Sequence, residues 1–313
     1  MFTAALAIVI GVGLANQTAI NSYLRKFVGS PFLASMISFV IGTIFLTAAT
    51  LISGSSLTVA LHLFATEPYW LWLGGVCGVI ALTSNILLFS KLGSVQTTVM
   101  PILGMSVMGM LIDNFGWFNS IKHSFGFNRI IGIVLVLLGV FLSVAVNSFS
   151  ANSDNVSGKE KKKFELLIWQ IIGILVGFLM AIQSAINGQL GRVVHSSFHA
   201  AFISFFVGSS LLIVIVGLKE RSYSNVINPI TQGAPWWVWV GGSIGALYIL
   251  INVYLVGQIG TGQTVVLALF GQIAGSLLIQ QFGLLNSVKN KITPIQIVGL
   301  FLMLTGVVLI KIF

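Results

Sequence analysis

Side chains able to hydrogen-bond are scarce in the apolar stretches of this chain, and those present recur in a pattern. Gln17 and Asn21 stand four residues apart, which puts both on one face of a helix. Gln183 and Asn187 repeat that pair 166 residues later. Asn85 and Asn252 form a further set at an offset of 167, and Gln96 and Gln263 another. Tyr248 precedes Asn252 by one helical turn, and Gln272 has Met105 as its counterpart. Amides donate and accept hydrogen bonds without carrying charge. Such a set can hold a polar solute; it cannot supply a nucleophile or a general base. Within hydrocarbon, polar side chains are functional candidates by default. The plainer role is adhesion between helices, worth about 0.6 kcal/mol per contact. Four repeat-related pairs favour a binding site, so Gln17, Asn21, Asn85, Gln96, Gln183, Asn187, Tyr248, Asn252 and Gln263 are its expected residues.

Charged chemistry is sparse. The acids are Glu67, Asp113, Asp154, Glu160, Glu165 and Glu220. Only Asp113 lies near the end of an apolar run without a loop around it, which makes it the candidate for ion coupling. Of the four histidines only His195 and His199 have ligand spacing, and no acid lies beside them. No metal and no cofactor is expected. No GxSxG, HExxH or pair of intramembrane aspartates is present, so an enzyme is not expected. Cys77, the single cysteine, sits in an apolar run and reads as a packing residue.

The elements that must position these residues follow from composition. Of 313 residues, 57% are hydrophobic and 7% charged, with a mean hydropathy of +1.04. Soluble domains carry about 25% charged residues, so a water-soluble protein is excluded. The apolar runs are continuous rather than alternating, which excludes a β-barrel. The fold class is therefore an all-α polytopic membrane protein. Ten runs are expected, near 2–23, 31–53, 69–90, 94–114, 129–149, 165–188, 198–218, 235–256, 262–281 and 294–312. The first reads as a mature span rather than a cleavable signal. Pro31, Pro68, Pro235 and Pro294 suit first-turn positions, with Thr293 as an N-cap, whereas Pro101 predicts a kink inside the fourth run. Residues 150–164 form a polar, basic linker between units 1–149 and 165–313.

Those units are repeats. NQTAINSYL around Gln17 matches IQSAINGQL around Gln183, and PYWLWLGG at 68–75 matches PWWVWVGG at 235–242. The register continues through Ser38-Phe39 with Ser204-Phe205 and Phe115-Gly116 with Phe282-Gly283. Five spans per unit is an odd number, so the second unit enters the membrane inverted. That topology is associated with secondary transporters that bind substrate near the midplane. Phe39 and Phe205 are placed to close a central cavity. Small residues at four-residue spacing, among them Gly74/Gly78 and Gly241/Gly245, permit close helix contact. Trp70, Trp72, Trp236, Trp237 and Trp239 read as an interfacial belt. An amide-and-aromatic cavity suits a small polar or zwitterionic solute, or an organic cation over ring faces.

The net charge of +9 reports orientation rather than nucleic-acid binding. Of 15 Lys and Arg, 11 fall in loops that share one side, Arg25, Lys26, Lys91 and Lys159 among them. That bias places both termini outside and the basic linker in the cytoplasm.

AIQSAINGQLG, the AxxSFxxG pattern at 201–208 and PWWVWVGG…GQTVVLALFGQIAGSLLIQQFG at 235–283 carry a resemblance. The chain resembles the YdcZ family of the drug/metabolite transporter superfamily, in a form with two five-span units fused. The resemblance implies an exporter of the bacterial inner membrane. Better-known ten-span relatives are drawn with both termini cytoplasmic, opposite to the charge count. The expectation is a secondary transporter exporting a small polar or organic-cation metabolite or drug by alternating access, with a channel-like facilitator or lipid scramblase as the alternative. Its partners are a small-molecule substrate and the lipid bilayer, with no nucleic acid, and it works as a monomer or a homodimer.

Overall fold

The computed structural model describes residues 2–120, 122, 126–149, 156–221 and 223–312; side chains at 143–149, 156–163, 256–257, 259–263, 266 and 311–312 fall outside the description. Every regular element in it is helical. The α-helices are α1 (Phe2–Val28), α2 (Pro31–Ile52), α3 (Leu61–Thr66), α4 (Gly74–Phe115), α5 (Phe127–Phe149), α6 (Val156–Val193), α7 (Ser197–Lys219), α8 (Asn228–Thr231), α9 (Gly241–Phe282) and α10 (Pro294–Ile312). Among the described residues, five helices are long and apolar enough to cross a membrane: α1, α2, α4, the Phe164–Val193 part of α6, and α7. Shorter apolar stretches occupy Phe127–Leu142, Gly241–Leu255, Leu267–Phe282 and Pro294–Ile310.

Local sequence explains several boundaries. Ser30 caps α2 by accepting from the Phe32 and Leu33 amides, with Pro31 in the first turn. Thr293 and Gln296 form a reciprocal box at the start of α10. Gln296 Oε1 accepts from the Thr293 amide at 3.1 Å, and Thr293 Oγ1 accepts from the Gln296 amide at 3.3 Å. Pro68 and Pro235 differ from the expectation. Each precedes a short 3₁₀ turn, Tyr69–Trp72 or Trp236–Trp239, and the α-helices begin only at Gly74 and Gly241. The linker also differs. Its 150–155 part lies outside the described residues, but α6 begins at Val156 and takes in the lysine-rich segment, whose Lys and Glu are good helix formers.

A straight helix of 42 residues would be about 63 Å long, twice the ~30 Å of bilayer hydrocarbon. α4 is not straight. Gly93 has φ 77° and ψ 179°, a conformation a side chain would resist, and it divides α4 into arms 74–92 and 94–115. The break falls where the expected runs 69–90 and 94–114 adjoin, and Pro101, expected to kink the fourth run, stays within helical backbone. Both arms pack on α6, in opposite senses. Gly78 lies against Gln183 and Leu88 against Gly173, whereas Gln96 meets Gln170 and Gly104 meets Ile174. α9 lies on α1 in the same way. Gly241 meets Asn21, and Ile279 at the far end of α9 clusters with Ala15 and Ala19 of the same segment.

A pseudo-twofold pairing runs through the molecule. α1 packs along α9 as α6 packs along α4, and α2 meets α9 as α7 meets α4. α2 and α7 pair with each other, as do α5 and α10. Small residues allow these approaches, such as Gly132 against Gly306 and Gly139 against Gly299. At the centre the rings of Phe39 and Phe205 pack 4.9 Å apart, each over the other half's glycine, Gly208 or Gly42.

Candidate functional site

The amide pairs lie in the seam between the two repeats. α1 carries Gln17 and Asn21 onto α9, where Gly245 and Gly241 leave room for them. A Cβ on Gly245 would stand 2.8 Å from Gln17 Cδ, and one on Gly241 would stand 3.1 Å from Asn21 Cγ. α6 makes the mirror arrangement on α4. A Cβ on Gly78 would stand 2.6 Å from Gln183 Nε2, and one on Gly74 would stand 3.0 Å from Asn187 Cγ. Four-residue spacing on one helix therefore meets four-residue spacing on its neighbour. Gln17, Asn21 and Asn187 are buried, and Gln183 is half-buried.

The two sides of the seam are not bonded alike. Asn21 Nδ2 donates to Ser38 Oγ at 3.1 Å. In the other repeat the counterparts, Asn187 and Ser204, make no such bond. Both amide atoms of Asn187 and the Ser204 hydroxyl are buried without a hydrogen-bond partner, as are Asn21 Oδ1 and Asn85 Oδ1. A buried unpaired polar atom costs about 1–3 kcal/mol, so each of these atoms calls for a partner such as a water or a ligand.

The remaining expected residues divide. Asn85, on the first arm of α4, turns Nδ2 toward Met180 Sδ of α6 at 4.0 Å. Asn252 is buried on α9, and Tyr248, one turn before it, packs beside Ala7, Ile10 and Leu255. Gln96 is tied across the bundle, since Gln170 Nε2 donates to its Oε1 at 3.2 Å. Gln170 has no counterpart amide and was not anticipated; its place one turn after Leu166 on an apolar helix face was the available signal. The side chain of Gln263 lies outside the described residues. Asp113 is half-buried, near the C-terminal end of α4 that Gly116 terminates. His199 is buried in the first turn of α7, with Ser196 as the N-cap.

One end of the bundle holds a cavity of about 450 Å³ that amide reasoning missed. α1 contributes Ser22, Arg25 and Lys26; the break in α4 contributes Ser90 and Ser94; the end of α9 and the following turn contribute Gln280 and Asn290. It reaches α1 at Ala19, between Gln17 and Asn21, without including either amide. Arg25 Nη1 donates to Ser90 Oγ at 2.9 Å, joining α1 to the break. At the opposite end, Arg192 stands where Lys26 does, 166 residues on, and Asn119 stands where Asn286 does, 167 residues back. Lys26 and Asn286 line the cavity. Arg192 instead donates to the Asn119 carbonyl at 3.3 Å.

The sequence matches the profile of a family described as "Putative inner membrane exporter, YdcZ" over residues 2–142 and 168–309. The chain belongs to this family. The two matched segments coincide with the two repeats, so this YdcZ protein carries the family unit twice. A solved structure titled "Crystal structure of protein" is 14% identical with a TM-score of 0.60, covering 98% of this chain and 96% of that one. At that identity the likeness bears on fold alone. No curated protein matches.

Proposed function

We propose that this YdcZ protein is a secondary transporter of the inner membrane. It exports a small polar solute by alternating access between two inverted repeats of five spans each, ten in all. The observation that carries the reading is the unequal state of equivalent positions. Lys26 and Asn286 border a cavity at one end, while Arg192 and Asn119 are joined at the other. A carrier resting open to one side needs that inequality between two halves of the same design. The seam supports it further, because Asn21–Ser38 is bonded where Asn187–Ser204 is not. Exchanging which pair is bonded would move the opening from one end to the other. Buried amides on glycine surfaces suit such an exchange, since neither helix has side-chain bulk to unpack.

Orientation follows from charge. Arg25, Lys26, Lys91, Lys219, Arg221, Lys289 and Lys291 belong to the end that holds the cavity, judged by the contacts of Arg25 with Ser90, of Lys219 with Phe32 and of the 284–290 turn with α1. The positive-inside rule assigns that end to the cytoplasm and both termini to the outside. The cavity is then the loading side of an exporter.

The test is flux in liposomes containing the purified protein. A carrier gives saturable uptake that exchange with solute on the far side accelerates. Non-saturating flux selects the channel-like facilitator, and movement of labelled lipid without solute flux selects the scramblase.

A further inference from the structure

We infer that the cavity between α1, the break at Gly93 and the 284–290 turn is a binding site for an anionic solute, carrying a carboxylate or phosphate group. This deepens the transport reading and rests on it for the solute's onward path, though not for binding itself.

The lining decides the charge. Arg25 and Lys26 contribute two cations, and among the described residues no Asp or Glu lines the cavity. Ser22, Ser90, Ser94, Gln280 and Asn290 add polar side chains around them. A cleft walled by one sign of charge concentrates the opposite ion, and an organic cation would be repelled. Arg25 is half-buried as a residue, and its guanidinium is already held by Ser90 Oγ at 2.9 Å. A positioned guanidinium loses less freedom on binding a carboxylate or phosphate, which it meets with two parallel hydrogen bonds. The backbone adds to this. The second arm of α4 starts at Ser94, on the cavity wall, so the first-turn amides have no acceptor farther up that arm. A broken helix presenting its N-terminal end to a site favours a negative ligand.

The repeat supplies a comparison inside the same molecule. Arg25-Lys26 of the first half corresponds to Gly191-Arg192 of the second, and Gln280 corresponds to Asp113. At these equivalent positions the far end therefore has one cation fewer and one acid more, and its Arg192 is engaged with Asn119. An anion is held where it enters and released where it leaves.

The experiment reads binding without flux. Asn290→Cys, in a Cys77→Ser background, places one thiol at the cavity rim. The protein is held in nanodiscs of phosphatidylcholine, and labelling by a neutral maleimide dye is followed with citrate as the probe anion at constant ionic strength. Citrate should slow labelling, and choline at the same concentrations should not. Arg25→Gln should raise the half-protecting citrate concentration about tenfold or more, the usual scale for a lost hydrogen bond to a charged group. Arg25→Gln with Lys26→Gln should raise it further, and Arg25→Lys should recover part of the loss. Gel filtration and the labelling rate without citrate report whether each variant is folded. Protection by citrate that is unchanged in the double variant, or equal protection by choline, overturns the inference. A second arm replaces a third of the lipid with phosphatidylglycerol. If that alone slows labelling and citrate then adds nothing, the site belongs to an anionic headgroup and the solute assignment fails. Absence of saturable flux with citrate protection intact would count against the transport reading and leave this site standing.

Discussion

Gly242 and Gly245 lie one helical turn apart on α9, yet a methyl group at each should have opposite consequences. At Gly242 the added Cβ would run into the Ser38 carbonyl of α2 and stand 3.0 Å from its carbon and from Ile41 Cβ. Carbon atoms in contact sit about 3.5 Å apart or more, so α2 and α9 would have to part by at least roughly 0.5 Å. A gap of that size forfeits about a quarter of the contact energy of the neighbouring atoms. Overpacking of this kind costs about 1–3 kcal/mol, partly offset by the better helix propensity of alanine, about 1 kcal/mol. At Gly245 the three atoms nearest the methyl would all belong to the Gln17 side chain, with Cδ 2.8 Å away. That amide can rotate aside while both backbones stay in place, so the loss should stay under about 1 kcal/mol.

The assay is unfolding by dodecyl sulfate in mixed micelles, with flux per folded molecule measured in parallel. Gly242→Ala should lower the unfolding free energy measurably. Its repeat counterpart Gly75→Ala, whose Cβ would meet the Ser204 carbonyl and stand 2.8 Å from the Gly208 nitrogen, should lower it by a similar amount. Gly245→Ala should leave stability nearly unchanged and impair transport, because it displaces Gln17 from the seam. The reasoning fails if Gly242→Ala and Gly75→Ala unfold like the parent. It also fails if Gly245→Ala destabilises as much as they do, because the seam would then not be built on these close approaches.

Further expectations separate site from scaffold. Gln17→Leu and Gln183→Leu should each abolish flux with little loss of folded protein; stability lost first, with per-molecule flux intact, would make these amides adhesive only. Gln96→Leu should behave in that adhesive way, costing about 0.6 kcal/mol on the scale of membrane-embedded hydrogen bonds while flux per folded molecule stays at the parent level. Glu165→Gln breaks the 2.9 Å ion pair with Lys91. Both side chains are about half exposed, so the loss should be under about 1 kcal/mol and should vanish in high salt. A cysteine placed at Asn152 in the Cys77→Ser background should resist a membrane-impermeant thiol reagent in intact cells; ready labelling there would reverse the orientation.

How much of this was legible beforehand depends on whether the deciding contact was local. The ends of α2 and α10 were readable because Ser30-Pro31 and Thr293-Pro294 act within one turn. The repeat was readable because it is a pattern in the chain itself. The seam was half-readable. Gln17/Asn21 and Gly241/Gly245 were both visible as four-residue spacings, one as site chemistry and the other as packing. Only the antiparallel alignment of α1 on the first part of α9 reveals that they are two sides of one contact. The turn in α4 was readable as the gap between the runs 69–90 and 94–114, where Gly93 takes a positive φ, whereas Pro101, the stronger local signal, stays within helical backbone. The cavity was not readable at all. Arg25, Lys26, Ser90 and Asn290 come from three distant segments, and in sequence each looks like an ordinary residue of a polar loop. What marks them is a divergence between the repeats, Arg25-Lys26 against Gly191-Arg192. Where two halves share one design, the positions they keep build the common seam. The positions where they differ are the ones that make the molecule's two ends unlike.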